Sequence, residues 1–282
     1  MPGKARQIAW VTACVLGLLL LCCVRAWGSI APPVHPVIAV IIDDMGNDLD
    51  EGQRAVSLPG PVACAILPHT RYAVKLADEA FARGKEVLLH LPMQAVDDAP
   101  LGPGGITLNM DQQEIQDTVR SDVASIPHLV GVNNHEGSLI SMHPGDLAWI
   151  MQTLHANGNL YFVDSYTTAD SIAYQIAIEN GIPAARRDVF LDDVETPQAV
   201  ENQFQRLLEI ARKKGFALAI GHPHPATLGV LARELPSLEN QGIELVPVAR
   251  IVELQQRNPI PWPQAIYPLP RKPDSRRGLP RS

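Results

Sequence analysis

Residues 37–44 read Val37, Ile38, Ala39, Val40, Ile41, Ile42, Asp43 and Asp44, and Met45, Gly46 and Asn47 follow. An unbroken apolar run, mostly β-branched, predicts a strand buried on both faces, the kind found in a parallel sheet or barrel. The two carboxylates stand at its C-terminal end, where Gly46 and Asn47 predict a loop. Neighbouring strand residues point to opposite faces, but a turn of the backbone at the strand end brings both acids to one cleft. Two carboxylates there repel each other and are costly to desolvate, so a cation is expected beside them.

Outward from this strand the chain alternates. Short apolar stretches recur at 62–67, 86–91, 129–132, 160–163, 188–191, 216–220 and 243–248. Between them lie helical stripes. Ala73, Leu76, Ala77, Ala80 and Phe81 share one face, and Gly84 stops that helix. Asp111 with Glu114 makes a capping-box start for Ile115, Val119 and Val123. Pro144 opens a helix facing inward with Leu147, Ile150, Met151 and Leu154, ended by Gly158. Phe204, Leu207, Leu208 and Ala211 form a fourth stripe. Strand and helix repeated about seven times predict parallel strands joined by right-handed crossovers. A closed or nearly closed β/α barrel is the first expectation and an open doubly wound sheet the second; both collect ligands at the C-terminal ends of strands.

The two ends of the 282-residue chain differ from its middle. Lys4 and Arg6 precede an uncharged apolar run over 8–24, and small residues follow around Gly28 and Ala31. That pattern predicts a secretory leader over residues 1–28, cleaved after Gly28 or Ala31, or an uncleaved anchor that would be the chain's sole membrane contact. Either form places the protein outside the cytoplasm, in the periplasm where there are two membranes. Residues 257–282 are rich in proline and arginine and predict an extended, disordered tail. The domain between, residues 29–256, carries 14 basic and 29 acidic residues, a net charge of −15. Such a domain is a poor binder of nucleic acid or anionic lipid. Three of the four cysteines fall in the leader, leaving Cys64 among apolar neighbours as a small buried hydrophobe.

The strand ends carry the chemistry. After the first come Asp43 and Asp44; after the second, Pro68 and His69; the third gives His90. The fourth gives Asn133, Asn134, His135 and Glu136; the fifth, Asp164 and Ser165; the sixth, Asp192 and Asp193; the seventh, His222 and His224. A barrel brings all of them to one rim. Nitrogen and carboxylate ligands without thiolates suit Zn2+ or another divalent first-row metal. Such a site acidifies a bound water, a carboxylate can take its proton, and a histidine can protonate a leaving group, which is hydrolase chemistry. The chain has no Gly-rich phosphate loop, no G-x-S-x-G elbow and no plausible nucleophilic cysteine. His224, between Pro223 and Pro225, is expected to cap the next helix, and Asp192 either orients a ligand or serves a helix N-terminus.

Taken in order, Ile42-Asp43-Asp44, His90-Leu91-Pro92-Met93, Asn133-Asn134-His135-x-Gly137-Ser138, Phe162-Val163-Asp164-Ser165 and Gly221-His222-Pro223 resemble the divergent polysaccharide deacetylase family, a relative of the NodB-type carbohydrate esterases. The resemblance runs from about residue 37 to about 253. It implies a distorted β/α barrel that removes acetyl groups from a glycan such as peptidoglycan, with a metal. It also implies Asp43 as base, Asp44 and His90 as metal ligands and His222 as acid. The usual second histidine four residues after the first is replaced by Gln94, so His135 is the candidate third ligand. Asn134, Asp164 and Ser165 are the candidate substrate contacts. The arginine-proline-tyrosine motif of related enzymes is missing, with Arg186 or Arg187 as stand-ins, and Glu136 occupies a position where this family is expected to carry methionine. Two other functions fit parts of the pattern. One is a non-catalytic envelope protein that binds glycan or a protein partner on the same fold. The other is a metallophosphoesterase, suggested by Asn134-His135-Glu136 and Gly221-His222-Pro223-His224 but lacking that class's D-x-H and second G-D motifs.

Overall fold

The computed structural model describes residues 35–97 and 99–262. The leader and residues 263–282 of the tail lie outside the described residues. Strand β1 (Val37–Met45) is followed by α1 (Leu49–Val56), β2 (Ala63–Ile66), α2 (Ala73–Ala82), β3 (Val87–Met93), α3 (Gln112–Ser125), β4 (Leu129–Glu136), α4 (Pro144–Ala156), β5 (Tyr161–Asp164), α5 (Ala173–Glu179) and β6 (Ala184–Arg186). The second part holds β7 (Val189–Phe190), α6 (Pro197–Lys214), β8 (Phe216–Gly221), α7 (Pro225–Glu234), β9 (Glu244–Leu245) and α8 (Val248–Arg257).

All strand pairings are parallel, in the order β6-β5-β4-β3-β2-β1-β8-β7, and β9 pairs with the start of β1. The outermost strands, β6 and β7, are separated in sequence only by Arg187 and Asp188. The Arg187 amide donates to Asp164 O at 3.1 Å on the β5 side, and the Asp188 amide donates to Leu218 O at 2.9 Å on the β8 side. One run, 184–190, therefore serves both edges of the sheet. This is the expected distorted β/α barrel, with eight strands on the path where about seven were expected, and its outermost strands are joined by the chain without pairing to each other.

Side-chain alternation sorts the strands into two cores. Ile38, Val40, Ile42, Leu89, Phe162, Ala217 and Ala219 face outward against Leu76, Ile115, Leu147 and Phe204 of the surrounding helices. Val37, Ala39, Ile41, Leu88, Val163, Phe216, Leu218 and Ile220 face the barrel interior, together with Val248, Ile251, Val252 and Leu254 of α8. Helix α8 thus packs against the interior cluster.

The helix signals read from sequence act as expected. Asp111 accepts from the Glu114 amide and Glu114 accepts from the Asp111 amide, a complete capping box. Pro144 opens α4, and Gly84, at φ +70°, follows the end of α2. The stretch 243–248 differs: only Glu244–Leu245 is strand, and Val248 begins α8. Pro247 precedes that helix, and the Glu86 carboxylate accepts hydrogen bonds from the amides of Val248 and Ala249, capping it from the residue just before β3. The tail's first residues are also packed: Gln175 donates to Pro261 O at 3.2 Å, and the Trp262 indole donates to Glu179 at 3.2 Å.

Candidate active site

The inward-facing positions climb each strand and end in polar side chains. Along β1, Val37, Ala39 and Ile41 lead to Asp43; along β3, Leu88 leads to His90; along β8, Phe216, Leu218 and Ile220 lead to His222. On β4, Gly131 leads to Asn133 and His135. A Cβ on Gly131 would lie 2.4 Å from the Tyr161 ring, which fixes the inward direction there. Asp44 has outward parity, yet its backbone is left-handed, φ +56°, and its carboxylate turns into the cleft. His69, Glu136 and Tyr166, at φ +56°, +53° and +53°, are left-handed at other C-terminal strand ends. Backbone strain of this kind costs on the order of 1–3 kcal/mol per residue and clusters at functional sites.

Asp44, His90 and His135 offer ligand atoms that all lie within 4.8 Å of one another. His90 Nε2 is 3.1 Å and His135 Nδ1 2.8 Å from Asp44 Oδ1, and the two imidazole nitrogens are 3.2 Å apart. Asp44 Oδ1 is buried and accepts no well-formed hydrogen bond. Two imidazole nitrogens crowded around a buried carboxylate oxygen make three lone-pair donors that fit a small divalent cation, whose ligands sit about 2.0–2.2 Å from it. Asn133 sets the state of His90. Its amide nitrogen donates to both Asp43 oxygens, at 2.8 and 3.0 Å, so its carbonyl faces His90 Nδ1 at 3.0 Å. Nδ1 then carries the proton and Nε2 is left as a lone pair toward the triad.

Two groups flank the triad. Asp43 is buried, with Oδ2 3.6 Å from His90 Nε2. Burial raises its carboxyl above the usual range, opposed by His90 and His222. His222 Nε2 lies 3.8 Å from Asp44 Oδ2, and its other nitrogen, Nδ1, lies 3.0 Å from Asp192 Oδ1. Burial disfavours a charged His222, but the Asp192 hydrogen bond and the nearby charges of Asp43, Asp192 and Asp44 outweigh it and push the imidazole up to about 9. Asp192 also accepts from the His222 amide and the Thr227 hydroxyl, each at 2.7 Å. Asp192, His222 and His224 form a second cluster of ligand-type atoms. The hydrogen bonds at Asp192 already engage both its oxygens, so the cluster works as a braced histidine.

A cavity of about 410 Å³ joins these groups to Ser165, Asn134, Glu136, Thr167, Phe190, Arg187 and Asp193. Of the expected substrate contacts, Ser165 and Asn134 line it. The Asn134 amide is committed, accepting from the Ser165 amide and donating to Glu136 O. Asp164 does not line it, which corrects the expectation: its outward parity buries it against α5, where it accepts from the Ser171 hydroxyl and the Tyr166 and Tyr174 amides. His224 stands at the N-cap of α7 without a side-chain capping bond, and its Nε2 is 3.5 Å from Glu195. Arg187, and not Arg186, enters the cavity. Its guanidinium donates to Ser165 O and Tyr166 O and stacks over Phe190 at 4.0 Å.

The fold and site define a class. The chain belongs to the divergent polysaccharide deacetylase family, whose match spans residues 40–252. It is 34% identical over 244 residues to the uncharacterized protein YibQ of Escherichia coli (strain K12), covering 86% of this chain and 76% of that protein. It is 36% identical over 209 residues to an uncharacterized protein of Haemophilus influenzae (strain ATCC 51907 / DSM 11121 / KW20 / Rd), covering 74% of each. Among solved structures, the uncharacterized protein ATU2773 from Agrobacterium tumefaciens C58 superposes with a TM-score of 0.74 at 22% identity, over 80% of this chain and 92% of that one. That likeness shows the fold, and the fold alone.

Proposed function

We propose that this protein is an exported, metal-dependent hydrolase that removes acetyl groups from a cell-envelope glycan such as peptidoglycan. The observation that carries the reading is the convergence of Asp44, His90 and His135, with Asp43 on one flank and the Asp192-braced His222 on the other. A divalent ion such as Zn2+, held by those three side chains, would polarise the acetyl carbonyl and acidify a water. Asp43 takes the proton of the water as its oxygen attacks the carbonyl carbon. His222 delivers the Nε2 proton to the departing nitrogen or oxygen as the bond to carbon breaks, and acetate is released. Asn133 keeps His90 in the ligating tautomer and holds Asp43 beside it. Support for export comes from the basic, then apolar, then small-residue start of the chain.

The test is metal content by mass spectrometry of the purified protein, paired with acetate release from peptidoglycan and from acetylated chitin-type oligosaccharides. One metal per chain is expected, lost in Asp44→Ala, His90→Ala and His135→Ala. Full metal with no acetate released from any glycan would replace the enzyme by a glycan- or protein-binding relative. Two metals per chain with activity on a phosphodiester would replace it by a phosphoesterase.

A further inference from the structure

Strand β1 gains a residue against β2 where its two carboxylates stand: Ile42 pairs with Cys64 and Met45 with Ile66, three steps on one strand against two on the other. Such a bulge re-aims side chains, and here it lets the consecutive residues Asp43 and Asp44 serve one cleft. Asp44 takes a left-handed backbone, φ +56°, which a residue with a Cβ adopts only under constraint. The constraint comes from the turn after β2. The Leu67 amide donates to Met45 O and the Tyr72 amide to Gly46 O, each at 2.9 Å. A Cβ on Gly46 would lie 2.1 Å from Thr70 Oγ1, and that hydroxyl donates to Leu67 O at 2.9 Å. The two carbonyls that follow Asp44 are therefore both held by the turn 67–72, which packs closely against them.

The turn needs a fixed point of its own, because its tip, His69, is also left-handed, φ +56°. His69 Nε2 lies 2.9 Å from Oδ1 of Asp122 on α3. The Asp122 side chain is fully buried, and its second oxygen has no partner among the described residues. Taking His69 away would leave a carboxylate in the core without its hydrogen bond, so α3 holds the turn firmly. Neither His69 nor Asp122 lines the cavity at the triad.

We propose that His69 and Asp122 are positioning residues for the metal centre: through the turn 67–72 they clamp the bulge at Asp43 and Asp44, and so keep the Asp44 carboxylate turned toward His90 and His135. The inference rests on the metal-binding reading above. Loss of the His69–Asp122 bond frees the turn, the bulge relaxes toward ordinary strand alternation, and Asp44 returns to its outward parity.

The experiment measures Zn2+ affinity of the full-length protein by competition with a chelating dye, together with hydrogen exchange of the Leu67 and Tyr72 amides by NMR. Asparagine tolerates a left-handed backbone but is too short to reach Asp122, so His69→Asn removes the bond and keeps the turn. His69→Asn and Asp122→Ala should each weaken Zn2+ binding by about tenfold, the low end of what outer supports of metal ligands contribute, and the double variant no further. Asp122→Asn keeps an acceptor for the imidazole and should stay within about twofold of wild type. In the two bond-breaking variants the Leu67 and Tyr72 amides should exchange at least about tenfold faster. Ile251→Ala, at the far end of the barrel, controls for lost stability and should leave Zn2+ affinity unchanged. Wild-type affinity in His69→Asn and Asp122→Ala overturns the inference. So does an equal loss in Ile251→Ala, which would trace the effect to stability alone. If Asp122→Ala does not fold, His69→Asn decides. If wild type binds no Zn2+, the metal reading fails and exchange decides: faster exchange at Leu67 and Tyr72 keeps the clamp on the strand end, and unchanged exchange overturns it.

Discussion

The two ends of the barrel are made from the same strands and the same inward-facing positions, and they have opposite characters. At the lower end Val37, Phe216 and Leu218 meet Ile251 and Val252 of α8 in a dry apolar cluster. At the upper end the same alternation delivers Asp43, His90, Asn133 and His222, with Asp44, Glu136 and Tyr166 held in left-handed backbone. The lower end gains free energy from burial. The upper end spends some of it on desolvated charge and strain. Stability and chemistry are therefore separable along the barrel axis, and substitutions at each end should show it.

The largest effect is expected from Asp43→Asn, which removes the proposed base and leaves the triad. Turnover should fall by about a thousandfold or more with metal content unchanged, because general-base catalysis contributes about 10²–10⁴-fold. Metal loss in this variant would break the division of roles between Asp43 and Asp44. Next, Ile251→Ala at the lower end should lower unfolding free energy by about 2–4 kcal/mol in denaturant titration, with metal affinity retained. If metal affinity fell with it, the two ends would be coupled. Asn133→Ala should weaken metal binding about 10–100-fold through the loss of His90 orientation, read by competition with a chelating dye. The smallest effect sharpens the comparison. Glu136→Gly relieves a left-handed non-glycine residue, so thermal unfolding should show stability unchanged or raised by about 0.5–1 kcal/mol, against the usual cost of adding glycine. A clear loss of stability would mean that the upper-end backbone is not strained at Glu136.

Much of this was readable from the sequence because burial and period are local properties. The run at 37–42 and the stripes at Leu76, Leu147 and Phe204 carry their own periodicity, and Asp111 with Glu114 or Pro144 mark helix starts within a few residues. Strand ends sharing a rim brought His90, His135 and Asp44 to one site with several other polar residues, and the resemblance to the deacetylase family singled these three out as ligands. What escaped depended on distant parts of the chain. Helix α1 has a capping residue, Asp48, but only eight residues, with Gly52 and Ala55 beside Val56 on its buried side, and α5 has only seven residues. Of the divided run, 188–191 reads as a strand in the sequence and holds β7, but β6, the three residues Ala184–Arg186, is too short to carry a pattern of its own. The capping of α8 by Glu86 spans 162 residues. Asp192 stood at a strand end with the others, but its service to His222 is set by the β7–β8 pairing, which no spacing in the sequence encodes.

The divided run has a consequence for how such a site can diversify. A barrel closed by strand pairing has a circumference fixed by the number of staves and their stagger. Here the last gap is spanned by the covalent link through Arg187 and Asp188. Insertion, deletion or rotation at that seam widens or narrows the mouth between Ser165 on one lip and Phe190 on the other, while β1, β3 and β4 keep their register and the triad its shape. On the proposed reading, the width of the cleft and the geometry of the triad are thereby set by different parts of the chain, so the cleft can be refitted to another glycan without rebuilding the triad.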